Sequence, residues 1–331
     1  MIRALALLAC TSIALAIAGG GSDIAMSTVW NALRDFDDQD YAHVVIWQQR
    51  LPQVMIAAIV GSTLAVSGAV LQGIMRNPLA SPGILGIASG ATLFTVIFGF
   101  TLNIPLIWQG PIAFAGGMFG FGSALGLARL VGGISDPRGL SFILSGTLVS
   151  MLYSACAHAV LLADPNLRAE ALGWVTGNVN FTYAERLPLM APLSLMAILV
   201  LWALARPITL LTIGKDAAAS AGVNAEGTWW LAAGLVTLAA SAAVAICGPV
   251  GFVGLVVPHL VRPFIGADLR RAIPANALAG AALLVLADMA ARTAFAPRIV
   301  HTGVVMDLLG GLVFIWLVRL VYLRPTCRLP T

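Results

Sequence analysis

Apolar runs of 18 or more residues follow one another along almost the whole chain, and such a run, coiled as a helix, spans the ~30 Å of hydrocarbon in a bilayer. No other feature constrains the fold as strongly. Only 10% of the 331 residues are charged and 60% are hydrophobic, whereas a soluble domain carries about a quarter charged residues to coat its surface. The mean hydropathy is +0.95. A membrane β-barrel would show alternating segments of ~10 residues, and these runs are long and unbroken. The expected fold class is therefore an all-α integral membrane protein.

Spans are expected at roughly 3–20, 51–75, 83–101, 106–130, 138–163, 187–205, 227–246, 273–294 and 303–323, with a shorter apolar piece at 255–265 after a glycine-rich break. That makes about ten transmembrane helices, one of them broken or short near 247–265. The first span, with Arg3, an apolar stretch and small residues before Ser22, also has the make-up of a secretory signal. An uncleaved helix is the reading adopted, because an even count then places both termini on one side. The longest gap is the acidic 21–46 segment, too short for a soluble domain, so residues 1–331 are read as one polytopic domain.

Arginine placement sets the orientation. With the N-terminus inside, Arg3, Arg76, Arg129, Arg138, Arg206, Lys215, Arg262, Arg270, Arg271, Arg319, Arg324 and Arg328 fall on the cytoplasmic side. Arg34, Arg50, Arg168, Arg186, Arg292 and Arg298 fall outside, with most of the acids: Asp23, Asp35, Asp37, Asp38, Asp40, Asp164, Glu170 and Glu185. This bias favours N-in and C-in. The net charge of +4 thus reports topology, and no nucleic-acid partner is expected.

Several chemistries find no residues to carry them. Cys10, Cys156, Cys247 and Cys327 form no C-x-x-C pair and read as small packing residues. Gly61 with Ala65, Gly116 with Gly120 and Gly122 with Gly126 have the four-residue spacing that lets helices approach closely. They are not a nucleotide loop, since the one lysine, Lys215, is followed by Asp216 and lacks the upstream glycine. No zinc motif or nucleophile elbow is present either. No catalytic residue, metal site or cofactor is expected in this chain.

Two stretches do not read as simple spanning helices. One is Asn77-Pro78-Leu79-Ala80-Ser81-Pro82-Gly83, where proline disfavours helix at the residue before it. The other is Cys247-Gly248-Pro249-Val250-Gly251-Phe252-Val253-Gly254, followed by a short helix containing Pro258-His259. Irregular backbone survives at membrane depth only when buried in protein or lining a cavity, so these breaks point either to a transport pathway or to packing kinks. Gln72, His158, His259, Asp288 and Asp307 lie within the spans as proton carriers, ligand contacts or interhelical hydrogen bonds. Asp288 and Arg292, one helical turn apart, are placed for a local ion pair.

The sequences Arg50-Leu51-Pro52, Ser67-Gly68-Ala69-Val70-Leu71-Gln72-Gly73 and Arg76-Asn77-Pro78-Leu79-Ala80-Ser81-Pro82-Gly83-Ile84-Leu85-Gly86 closely resemble the FecCD-type permeases. The resemblance continues through Gly173-Trp174-Val175-Thr176-Gly177-Asn178, the Ile213–Val223 stretch, the Gly248–His259 stretch and Leu286-Ala287-Asp288. It covers about residues 45–320. It implies a ten-helix permease subunit of an ATP-driven importer for iron–siderophore complexes, haem or cobalamin, in the bacterial inner membrane. It also implies a second permease copy, two cytoplasmic ATPase subunits that hold ATP and Mg, and a periplasmic or lipid-anchored binding protein.

Site residues follow from the same resemblance. Arg50 and Arg292 are expected at the outer surface, docking carboxylates of the binding protein as rigid bidentate cations, with Arg298 nearby. Asn77 and Leu79 are expected at the cytoplasmic gate, and Ser145, Gly146 and Thr147 along the pathway. The segment 212–224, with Gly214, Lys215, Asp216, Ala219 and Gly222, is expected to rest in a groove of the ATPase as a short, glycine-capped coupling helix. Two departures stand out: Gln53 where many relatives have a second arginine, and Pro297-Arg298-Ile299-Val300-His301-Thr302-Gly303 where many have a glutamate and a proline. An iron–siderophore is the expected cargo, with haem or cobalamin as the alternative. A secondary transporter using Asp288 and Asp307 as proton carriers is the alternative of another class.

Overall fold

The computed structural model describes residues 1–19, 24–131, 140–295 and 300–321, and among these the regular structure is helical throughout. The helices run α1 (Ile2–Ala18), α2 (Met26–Arg34), α3 (Tyr41–Val45), α4 (Leu51–Ile74), α5 (Ile87–Phe94), α6 (Leu106–Val131), α7 (Leu140–Ala163) and α8 (Pro165–Val175). They continue with α9 (Leu187–Ala203), α10 (Ala205–Ile213), α11 (Lys215–Ser220), α12 (Ala225–Cys247), α13 (Val253–Ile265), α14 (Leu269–Thr293) and α15 (Thr302–Val321). A π turn over Ile46–Arg50 joins α3 to α4, another over Thr95–Phe100 prolongs α5, and a 3₁₀ turn over Phe181–Arg186 leads into α9.

Six segments are long and apolar enough to cross a bilayer: Tyr41–Ile74, Leu106–Val131, Ser141–Ala163, Phe181–Ala203, Ala225–Cys247 and Leu269–Thr293. Shorter apolar helices are Ile2–Ala18, Ile87–Phe100, Val253–Ile265 and Thr302–Trp316. The expected multi-pass helical architecture is present. The helices that hydropathy did not reveal are α2, α3, α8, α10 and α11. Polar caps explain how two of them start: Asp40 accepts from the Ala42 N–H ahead of α3, and Asp164 accepts from Asn166 and Leu167 ahead of α8, with Pro165 at its first position.

Close approach builds the interior, because lipid offers helices no hydrophobic reason to associate. α4 packs on α14, α12 and α13, and Val60, Ala65, Val66, Val70 and Leu71 are wholly buried. Gly61 and Ala65 abut Gly280 of α14, while Gly116 and Gly120 of α6 abut Gly90 and Gly86 beside α5. Gly122 and Gly126 differ from expectation: no described neighbour lies within 4 Å of a Cβ placed there, so they close no helix contact in this chain. Among the cysteines only Cys247 is packed; Cys10 and Cys156 are exposed, and Cys327 lies outside the described residues.

One end of the molecule gathers basic side chains. Arg3 and Arg271 line one hollow with Phe264, Trp202 donates to the Arg270 carbonyl (3.1 Å) and the Leu269 N–H donates to Thr209 Oγ1 (3.1 Å). Arg76 lies near Gly214, and Arg129 sits over Trp230 at 5.1 Å. The opposite end holds α2, α3, α8 and the start of α15. Arg186, counted with the outer charges from sequence, is 1% exposed. It donates to the carbonyls of Leu106 and Ala245 and to Gln109 Oε1, and it lies over the rings of Trp174 and Tyr183. A guanidinium satisfied by carbonyls, an amide and aromatic faces stays buried without a carboxylate.

Candidate translocation site

The two interruptions visible in the sequence meet in space. At the first, α4 ends on Arg76 in a left-handed conformation (φ 50°), and Asn77 Oδ1 accepts from the Leu79 N–H (2.9 Å) while the Asn77 carbonyl accepts from Ala80 (3.2 Å). A second pair of turns follows, from Ile84 N–H to Ser81 and from Leu85 N–H to Pro82. The chain has then reversed, and α5 begins where Gly86 meets Gly120, about halfway along α6. At the second interruption, Gly248 (φ 82°) closes α12 and Phe252 (φ 62°) precedes α13. The first turn of α13 lies on α4 at Leu64 and Gly68, with Pro82 of the first interruption beside Gly254.

Backbone groups freed by these breaks find partners in protein, as membrane depth demands. The Cys247 carbonyl accepts from the Asn178 N–H (2.9 Å), and Gln72 Nε2 donates to the Gly254 carbonyl (3.2 Å). Gln72 and His259, whose Nδ1 lies 2.7 Å from the Leu255 carbonyl, are thus structural hydrogen-bonding residues. A groove of about 250 Å³ opens at the junction, lined by Gly83 and Pro249 from the breaks, Ser89 and Thr92 of α5, and Ser150, Ser154 and His158 of α7.

The expected pathway residues sit one to three helical turns from this groove. Gly146 is pressed under the Ile84–Leu85 turn, Ser145 is 3% exposed, and Thr147 bonds back to the Ile143 carbonyl (2.9 Å). Gly146 therefore backs the turn, and the groove is lined further along the same helix. At the basic end Leu79 is 42% exposed, held out by the Asn77 turn.

The segment expected to couple to an ATPase is a separate surface helix, α11. Gly214 precedes it, Asp216 lies in its first turn, and Lys215, Asp216, Ala217 and Ala219 are exposed. It closes on Gly222 (φ 77°), with Val223 N–H to Ala218 and Gly222 N–H to Ala219, the two bonds of a Schellman cap.

Geometry at the opposite end differs from the expected pair of presented arginines. Arg50 is 5% exposed, and its Nη1 donates to the carbonyls of Ile17 and Ala18 (2.7 Å each), the unpaired C-terminal carbonyls of α1. It ties α1 to α4 instead of lying open at the surface. Arg292 keeps a 21% exposed side chain and pairs with Asp288 Oδ2 at 3.0 Å, the ion pair that the spacing implied. Asp288, 2% exposed, also accepts on Oδ1 from Thr302 (2.9 Å) and from Gln53 (3.1 Å), and Gln53 donates to the Val179 carbonyl as well (2.8 Å). Gln53 thus joins α4 to α14 and to the Val179 carbonyl, and Asp288 carries the link on to the start of α15, where an arginine was expected in relatives at position 53. Nearby, Thr176 Oγ1 and His301 Nδ1 lie 2.9 Å apart. Arg298 lies outside the described residues.

Interrupted helices converging at mid-height, inside a many-helix membrane protein with a capped helix on its basic face, define a transport permease. The pattern of the FecCD transport family matches residues 6–320, and the chain belongs to that family. It is 32% identical over 313 residues to the probable siderophore transport system permease protein YfiZ of Bacillus subtilis, covering 93% of this chain and 92% of that protein. It is 35% identical over 292 residues to the Fe(3+) dicitrate transport system permease protein FecD of Escherichia coli, covering 87% and 89%. Permeases for hemin and for cobalamin are similar as well. A solved structure described as an inward-facing metal-chelate type ABC transporter superposes with a TM-score of 0.81 at 27% identity, covering 97% of this chain and 99% of that one. The chain is a permease subunit of the ABC importer type, whose ATP hydrolysis occurs in partner ATPases.

Proposed function

We propose that the chain carries an iron–siderophore complex across the bacterial cytoplasmic membrane. It works as one copy of a permease homodimer, with two cytoplasmic ATPase subunits that bind ATP and Mg and a periplasmic or lipid-anchored binding protein. The observation that carries this is the convergence of the two broken helices on the groove beside α7, an arrangement that places irregular backbone where a cargo passes. Siderophore and iron-chelate permeases among the relatives support the choice of cargo; haem or cobalamin is the second reading.

In this reading the chain is a single ten-span domain, N-in and C-in, with the basic end cytoplasmic. α11 rests on the ATPase, Asn77 and Leu79 form the inner gate, and Arg292, with Arg298, meets the binding protein. The engagement of both Asp288 oxygens favours this over a proton relay through that residue.

The test is ATP-dependent uptake into lipid vesicles by the chain assembled with its ATPase and binding protein, offering a ferric siderophore, haem and cobalamin side by side. Uptake of the ferric chelate that stops with an ATPase lacking its catalytic base is the expected result. Uptake driven by a pH gradient and indifferent to ATP would overturn it.

A further inference from the structure

Ser150, Ser154 and His158 lie at i, i+4 and i+8, which places them on one face of α7, the face that lines the groove. Across from them Ser89 and Thr92 spend their hydroxyl protons on their own helix, donating to the carbonyls of Gly86 (3.2 Å) and Ala88 (2.9 Å). The α7 residues do not. Ser150 Oγ is buried with no hydrogen-bond partner, and neither the half-buried Ser154 nor the exposed His158 ring has one among the described residues. A helical serine ordinarily spends its hydroxyl on its own backbone or on a neighbour, so a row along a groove wall that does neither keeps its donors for a ligand. Among the described residues, none with a fixed charge lines the groove. A carboxylate there would repel an anion, and an arginine or lysine would hold one too firmly for passage, since a conducted ligand must enter and also leave.

We infer that Ser150, Ser154 and His158 form a transient subsite for the oxygen rim of a metal chelate, its carboxylate, hydroxamate or catecholate oxygens, accepting hydrogen bonds from the hydroxyls and the imidazole N–H. At about 250 Å³ the groove takes the edge of such a ligand and not its body. Gly83 and Pro249, one from each interruption, keep backbone without bulky side chains at the other wall, leaving room for the rim to slide past. This rests on the importer reading above, and it adds which side chains touch the cargo and by what chemistry.

The experiment uses the full transporter in vesicles with iron-55 as ferric citrate and as a ferric hydroxamate, and with haem and cyanocobalamin in parallel. The variants are S150A/S154A/H158A, the milder S154A/H158A, and His158→Gln, which keeps an N–H donor. The alanine variants are expected to slow ferric-chelate uptake about five- to tenfold, to leave ligand-free ATPase turnover within about twofold, and to recover part of the lost rate when His158→Gln replaces His158→Ala. Chelate uptake at the unmodified rate in both alanine variants overturns the subsite. So does an unmodified transporter that takes up only haem or cobalamin, which leaves the importer reading standing. Absence of ATP-driven uptake of every cargo removes the importer reading, and the subsite with it.

Discussion

A methyl group added at Gly68 would collide with the Gly254 carbonyl, at the point where α13 begins on α4. Backbone cannot step aside there as a flexible side chain would, because Pro82 closes on Gly254 from the other break. Gly68→Ala is therefore expected to lower stability by about 1–3 kcal/mol, the range for overpacking a filled interior. Gly122→Ala, with open space around it, should stay within about 0.5 kcal/mol of the unmodified protein. Thermal unfolding of the two purified variants in the same detergent checks this, and equal midpoints would show that the α4–α13 contact is loose. Arg186 carries a similar lesson at the same scale. Sequence position put it among the outer charges, yet folding gives it partners 59 to 80 residues away.

Among the elements, α11 has the clearest proposed duty, the contact with the ATPase. Its six residues are bounded by Gly214 and the Schellman cap at Gly222, and only Ala218 is buried against the chain. The exposed Ala217 and Ala219 leave a small-residue surface that a partner's groove can accept. Ala219→Trp should leave the permease folded while ATP turnover continues with transport reduced about tenfold or more, as steric exclusion at a central interface position does. Normal coupling in that variant would move the ATPase contact elsewhere. The helix itself was legible in sequence because a glycine stop and a polar start are local signals. The breaks at Asn77-Pro78 and Gly248-Pro249 were legible for the same reason. Their meeting was not, since hydropathy reports that a segment is apolar but not the depth at which it starts. The short α2, α3 and α8 escaped because caps on five- to eleven-residue pieces carry little weight beside runs of twenty. Of the groove residues His158 stood out as a polar group within a span, while the two serines escaped for another reason. Ser150 and Ser154 look like ordinary small helix residues until the fold shows that their hydroxyls have no partner.

Across the whole molecule, charge is divided between the two ends, and the proposed function gives each end a different task. In the proposed orientation the end opposite α11 receives cargo, and there the structure separates two arginines that sequence resemblance treats alike. Arg50 holds the last carbonyls of α1, so altering it would loosen α1 and confuse docking with folding. Arg292 is the informative probe. It is partly exposed, and Asp288 keeps Gln53 and Thr302 if the ion pair is lost. Arg292→Gln removes the charge while retaining a donor near Asp288. A charge at the rim of an interface acts mainly on encounter rate and its salt dependence. The variant should therefore associate with an acidic binding protein about three- to tenfold more slowly at low salt, and the difference should shrink by 0.5 M salt as screening shortens to a few ångströms. Ligand-free ATPase turnover should be unchanged, because α11 lies at the other end of the molecule. Association rates measured on immobilised transporter across a salt series decide the matter: superimposable curves for the two proteins would show that the binding protein reads some other part of this face.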